Sequence, residues 1–318
     1  MMKNIPIFMA SDDNYAPFLC TAMYSILENT DTPIDFYVLD GGISDKSKNL
    51  IAESFSLFDN YGIEYIDMSN YDLNQFPNLK HYSVNTFSRY FIANIKPNIS
   101  RCLYLDVDII VKGDIVDLYN QNLEGFPLGV VLEDFYTGNY TYLKEKIYQN
   151  YKGGSNYFNA GILVLDLKYF RENNLQTTLI KMTSDYAEKL SCPDQDVFNI
   201  VFENNFKILD YKYNFMPDHY AMFESYKSEI AKQSKQDAVV YHFTGGKPWK
   251  NESCESKLFW NIANKTKFKK IIKKKFAKKI NVLLAVKKLI KKVAKKILPK
   301  SIIKAIKEKR NPQCQLYQ

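Results

Sequence analysis

The sequence has neither G-x-x-x-x-G-K-[ST] nor G-x-G-x-x-G among its 12 glycines, which excludes the two common glycine-rich phosphate cradles. Its five cysteines, Cys20, Cys102, Cys192, Cys254 and Cys314, are odd in number and show no metal-ligand spacing. That pattern argues against a disulfide framework and fits a reducing compartment. The opening MMKNIPIFMASDD contains no long apolar run and passes directly into a strand pattern, which predicts no signal peptide. Near the other end, lysines interrupt the apolar residues too often for a membrane span.

What is there is enough for one substantial α/β core and an appendage: 318 residues, 46% of them hydrophobic. The 24 Tyr and 21 Phe suit strands and core, and also a pocket that stacks rings or sugars. The net charge of +8 conceals two opposed parts. Residues 265–310 hold 19 Lys and one Arg against one Glu, leaving 23 basic and 34 acidic residues elsewhere. An acidic body with a basic tail is not the profile of a molecule that binds nucleic acid over its whole surface.

Strand and helix patterns alternate through the first half. Ile5–Ser11 reads as a strand that stops at Asp12-Asp13-Asn14-Tyr15, and Phe18, Leu19, Ala22, Met23, Ile26 and Leu27 then form a helical stripe. Asp12 or Asp13 could equally serve only as that helix's cap. A second strand, Ile34–Leu39, is followed by a helix from Ser44 to about Phe58, and a third strand by Ile63–Met68. Such alternation predicts a sheet with helices on both faces, whose ligands collect where strands hand over to helices. Further strands are expected at 127–132, from Asn159 to Leu167, at 206–211 and at 238–242. Helices are expected around Arg89, at 177–190 and after Pro193, where Asp194 could be a simple cap, and residues 136–157 read as a flap.

Within this frame, Arg101–Val111, RCLYLDVDIIV, reads as one buried strand carrying Asp106 and Asp108 two positions apart. Period-2 geometry would put both carboxylates on one face, and burying them costs several kcal/mol unless a cation offsets it. A pair of strand-end aspartates capping a turn is the plainer alternative. His242, followed by Phe243-Thr244-Gly245-Gly246-Lys247, is a candidate metal ligand, or else a buried structural histidine, with Lys247 a candidate phosphate partner.

The segments ASDDNYAPFLC, VLDGGIS, FSRYF, LYLDVDIIV, FNAGILVLDLK, DQDVFN, YNFMP and HFTGGKPW, in that order over about residues 5–250, resemble family 8 glycosyltransferases. The likeness is strongest to the bacterial lipooligosaccharide α-1,4-galactosyltransferase type. It implies a GT-A fold, a Rossmann-like mixed sheet flanked by helices, and transfer of galactose or glucose from a UDP-sugar to a lipopolysaccharide, lipooligosaccharide or other glycan acceptor, with retention. It further implies Mn²⁺, with Mg²⁺ as a substitute, held by Asp106, Asp108 and His242. Ala10, Asp12, Asn14 and Tyr15 resemble uridine-binding positions. Arg89, Asn159, Asp194 and Gln195 resemble those holding the sugar, while Val107, Gly245 and Lys247 fall in the donor site. Gln195, beside Asp194, takes the catalytic position on the sugar's β-face. Two features depart from the family pattern. His242 and Lys247 are five apart where six is common, and the position of an acceptor-contacting aspartate reads Glu133, followed by Asp134 and Phe135.

An aspartyl-phosphate phosphatase would also place Asp-x-Asp after apolar residues, but Ile110 stands where Thr or Val is expected. A non-catalytic, membrane-bound glycan-binding module is the other alternative. Residues 1–264 are read as the catalytic domain and 265–318 as a basic amphipathic helical tail, with Val282, Val286, Leu289, Ile290, Val293 and Ile297 on one stripe. Such a helix lies on an anionic membrane surface, each lysine adding about 1 kcal/mol. The expected location is therefore cytoplasmic, peripheral on the inner membrane, beside a lipid-linked acceptor, with no nucleic-acid partner.

Overall fold

The computed structural model describes residues 4–76, 84–133, 143–152, 156–222, 229–250 and 252–275. Seven strands form the main sheet in the order β3-β2-β1-β4-β7-β6-β8. Their spans are β1 Ile5–Ser11, β2 Ile34–Asp40, β3 Tyr61–Asp67, β4 Arg101–Leu105, β6 Leu128–Leu132, β7 Phe158–Asp166 and β8 Lys207–Ile208. β1, β2, β3 and β4 run parallel, β7 is antiparallel to both β4 and β6, and β8 is parallel to β6. This is the mixed α/β architecture the sequence predicts.

Period-2 alternation sorts the strands' side chains between two cores. Ile7, Met9, Leu103, Leu105, Ile162 and Val164 face the helix Ala16–Asn29, while Phe8, Cys102, Tyr104, Leu163 and Leu165 face a layer containing Phe87, Tyr90, Phe198 and Phe202. Every member of the helical stripe read in Ala16–Asn29 is buried. Ser25 on that helix accepts the backbone N–H of Val111 at 2.9 Å, tying a second, two-stranded sheet to it.

That small sheet pairs β5 (Ile109–Val111) with β9 (Val240–His242), antiparallel, with Ile109 opposite His242. The expected single strand Arg101–Val111 is thus two strands in two sheets, and the chain crosses between them at Asp106-Val107-Asp108. The reason is electrostatic. Continuing β4 through two carboxylates would bury them in the sheet's packed faces, whereas crossing turns them into a cleft. The crossing is pinned at both ends: Asp106 N donates to Gly161 O of β7 at 2.8 Å, and Phe243 N donates to Asp108 O at 2.9 Å.

Other elements differ at their ends. The helix capped by Ser44 spans Asp45–Ser54 and stops short of Phe58, with Phe55 turned into the core. The strand expected at 206–211 is only Lys207–Ile208. The segment carrying Arg89 is a run of 3-10 turn, Val84–Phe91, leading into a short α-helix, Ile92–Ile95. The core also reaches past residue 264: Phe268 and Ile272 are buried in it, and Lys267 N donates to Ser54 Oγ at 2.9 Å. The greater part of the expected tail, 276–318, lies outside the described residues, as do 136–142 and 153–155 of the expected flap, whose described part carries a helical turn at Leu143–Ile147.

Candidate active site

Where β1, β4 and β9 end and the antiparallel β7 begins, a cleft of about 860 Å³ opens. Asp106 and Asp108 enter it from the crossing between the sheets, and His242 from the end of β9. His242 Nε2 lies 3.3 Å from Asp108 Oδ1 and 3.8 Å from Asp106 Oδ2. One ligand atom from each of the three lies within 4.8 Å of the others. The His242 ring is buried, while the two carboxylates keep 28% and 17% of their side-chain surface toward the cleft. Gly161 borders this cluster, and a Cβ there would fall on the His242 ring and within 2.5 Å of Asp106 Oδ2.

Cations and dipoles hold the carboxylates in place. Arg89, buried, bonds Asp106 Oδ1 and Asp194 Oδ2, each at 3.1 Å, and its guanidinium lies 4.2 Å from the centre of the Tyr104 ring. Tyr104 donates to Asp106 Oδ1 at 3.0 Å. Burial works against the guanidinium's charge, but Asp194, Tyr104 and Asp106 outweigh it and hold Arg89 above its usual range. Burial also pushes Asp106 up, against Arg89, with Asp108 adding to the rise. Asp108 goes the other way: burial is overcome by Lys247 and His242, which hold it below the usual carboxylate range. Lys247 Nζ reaches Asp108 Oδ2 at 2.6 Å and Phe243 O at 2.7 Å, so the turn over residues 244–246 brings it into the cleft despite the short spacing.

On the next wall, Asn159 and Gln195 meet. Asn159 Nδ2 donates to Glu133 Oε1 at 2.9 Å and to Gln195 Oε1 at 3.1 Å, and Gln195 Oε1 also accepts the N–H of Ala160 at 3.1 Å. Asp194 is not the cap of the helix Pro193–Val201, whose N-cap is Cys192. It sits in the first turn, paired with Arg89. At the cleft's outer edge, Tyr15 is 44% exposed and makes T-shaped contacts with Phe18 and Trp249. Asp12 accepts Tyr15 N at 2.9 Å and lines the cleft as well, with Ala10 behind it.

Most of the residues singled out in the sequence therefore converge: Ala10, Asp12, Tyr15, Arg89, Asp106, Val107 and Asp108 line the cleft with Glu133, Asn159, Asp194, Gln195, His242 and Lys247. Asn14 does not line it; its backbone and side-chain oxygens lie 3.5 Å from Lys275 Nζ. Gly245 is also absent from the lining and packs on Asp218. Asp134 and Phe135 fall outside the described residues. Sequence reasoning gave no role to Asn214, Tyr157 or Asp196, buried polar groups behind the wall. Asn214 Oδ1 meets His242 Nδ1 at 2.9 Å; the signals for it are its place in the segment YNFMP and an amide set inside the aromatic run Tyr213-Asn214-Phe215.

Two carboxylates and an imidazole converging on one point form a donor set for a hard or borderline divalent cation. A lysine at its rim and an exposed aromatic ring suit an anionic ligand with a planar base. The sequence profile of glycosyl transferase family 8 matches residues 6–253. A putative glycosyltransferase of Haemophilus influenzae is 27% identical over 265 residues, covering 82% of this chain and 77% of that one. A lipopolysaccharide 1,2-glucosyltransferase of Escherichia coli is 27% identical over 284 residues, covering 84% and 80%. The crystal structure of galactosyltransferase LgtC with donor and acceptor sugar analogs superposes with a TM-score of 0.71 at 28% identity, covering 83% of this chain and 96% of LgtC. The chain spans only 23% to 62% of the length of the streptococcal glycosyltransferases it also matches.

Proposed function

The chain belongs to glycosyl transferase family 8, and from that premise we propose that it moves galactose or glucose from a UDP-sugar to a lipopolysaccharide or related glycan acceptor, with retention, giving an α-linkage. The observation that carries this reading is the cluster of Asp106, Asp108 and His242 in a cleft that also holds Lys247, Tyr15 and the Asn159–Gln195 pair. Mn²⁺ fits the donor set, two carboxylate oxygens and an imidazole nitrogen bordered by a residue without a Cβ, and when bound it acts as a Lewis acid on the diphosphate.

The chain's own residues divide the remaining work. Lys247, held above its usual range by Asp108 despite burial, stays protonated and offsets phosphate charge. Tyr15 stacks on the uracil and Asp12 reads its edge. Arg89, bonded to both carboxylates, holds Asp106 and Asp194 in place for the metal and the hexose. The transition state carries oxocarbenium character, which the amide oxygen of Gln195 and the carboxylate of Asp194 stabilise from one face. Gln195 Oε1 already accepts two hydrogen bonds, which makes it a poor nucleophile and supports attack by the acceptor hydroxyl on the donor's front face, with the leaving phosphate taking the proton. Glu133, beside Asn159, lies on the acceptor side. An aspartyl-phosphate mechanism is disfavoured because the glycosyl transferase family 8 profile spans residues 6–253, the whole of the site included. The lysine-rich tail docks the enzyme on the cytoplasmic face of an anionic membrane next to a lipid-linked acceptor. Among the described residues no helix is long and apolar enough to cross a membrane.

Incubating the protein with a panel of UDP-sugars, Mn²⁺ and a lipooligosaccharide acceptor tests this reading. Transfer from UDP-galactose or UDP-glucose with an α-configured product by NMR is expected. A β-configured product, or turnover confined to non-UDP donors, would contradict it.

A further inference from the structure

We propose that Asn214 is a positioning residue that fixes the tautomer of the His242 imidazole and ties it to the orientation of the Gln195 amide through a one-way chain of hydrogen bonds. The inference rests on the reading of Asp106, Asp108 and His242 as a metal site.

The chain's direction is set by two peptide groups, which can only donate. Ala160 N meets Gln195 Oε1 at 3.1 Å, and Gly161 N meets Asn159 Oδ1 at 3.0 Å. These contacts decide which end of each amide is oxygen, an assignment the shape of an amide leaves open. With Asn159 Oδ1 turned to Gly161, the Asn214 atom lying 3.0 Å from that oxygen must be its amide nitrogen. The Asn214 oxygen is then the atom facing His242 Nδ1 at 2.9 Å, so Nδ1 carries the hydrogen. A neutral ring protonated there presents the Nε2 lone pair to Asp106 and Asp108, as a metal ligand must.

In the other direction Asn159 Nδ2 donates to Gln195 Oε1, Gln195 Nε2 donates to Tyr157 Oη at 3.0 Å, and Tyr157 donates to Asp196 Oδ1 at 2.7 Å. Every donor from His242 to Asp196 points the same way. Reversing any one link would set two donors or two acceptors face to face among groups that are buried, or in the case of Gln195 half-buried, so the links hold or change together. Asn214 is placed for this by its neighbour: Phe215 O accepts His242 N at 2.8 Å, which lays the two side chains alongside each other.

Two substitutions separate the halves of the chain. Asn214→Leu removes both links. Asn214→Asp keeps an acceptor for His242 Nδ1 but offers no donor to Asn159. Thermal melts check folding, Mn²⁺ alone is titrated by the EPR signal of the free ion, and nitrogen-15 NMR of the metal-free protein reads the tautomer, which is tractable with three histidines in the chain. Asn214→Leu is expected to weaken Mn²⁺ binding about 10–100-fold and to lose the Nδ1–H preference. Asn214→Asp is expected to bind Mn²⁺ at least as tightly as the parent with the tautomer kept, while kcat at saturating UDP-hexose falls by at least about tenfold. Parent-like Mn²⁺ affinity and tautomer in Asn214→Leu, or parent-like kcat in Asn214→Asp, would overturn the proposal; if the Leu variant does not fold, the Asp variant decides alone. A parent protein that binds no Mn²⁺ overturns the metal reading itself, and that result is distinguishable because it precedes any substitution.

Discussion

Gly161 illustrates how much of the site depends on single atoms. Its missing Cβ leaves room for the His242 ring and Asp106 Oδ2, so Gly161→Ala is expected to cost about 1–3 kcal/mol through overpacking and to weaken Mn²⁺ binding at the same time. Thermal melts and metal titration on one sample check both; an Ala variant with unchanged affinity would show that the cluster tolerates displacement. Asp196 makes a pH prediction. Burial raises its carboxyl from 3.8 to about 6, so the folded state holds that proton more tightly than the unfolded one. Its contribution to stability is therefore complete at low pH and is lost as pH rises from about 4 to 6, on the order of 3 kcal/mol in all. Denaturant midpoints measured across that window should fall for the parent and be flatter for Asp196→Asn. At this scale Asp106, Asp108 and His242 were legible because each is a residue type with recognisable chemistry in a recognisable segment. Asn214 and Tyr157 were not, because their roles exist only as contacts with partners far away in the chain.

At the scale of elements, the alternating patterns located β1, β2, β3 and the helix Ala16–Asn29 closely, since apolar periodicity follows directly from burial on one face. The same rule misread Arg101–Val111. An unbroken apolar spacing cannot register that a chain changes sheets, and only the cost of burying Asp106 and Asp108 shows why it does. Composition misplaced the boundary of the body for a related reason. Lysines begin at 265, yet Phe268 and Ile272 alternate with them on a buried face. Truncation after Asn264 removes both side chains and is expected to cost roughly 3–6 kcal/mol, a large part of a typical domain's stability. Truncation after Lys275 should melt like the full chain. Equal melting of the two truncations would mean that the segment contributes nothing to the core.

For the whole molecule, an acidic catalytic body and a basic extension predict a division of labour. The chain truncated after Lys275 should lose sedimentation with anionic vesicles, keep turnover of a soluble acceptor, and lose the salt sensitivity of vesicle binding; undiminished sedimentation would assign the membrane contact to the body instead. The central claim concerns the body alone, and UDP release from UDP-galactose and UDP-glucose, followed with and without Mn²⁺ in the parent and in Asp108→Asn, tests it most directly. The expected result is Mn²⁺-dependent release by the parent and loss of at least about a thousandfold in a folded Asp108→Asn. Metal-independent release, or equal release by the two proteins, would contradict it.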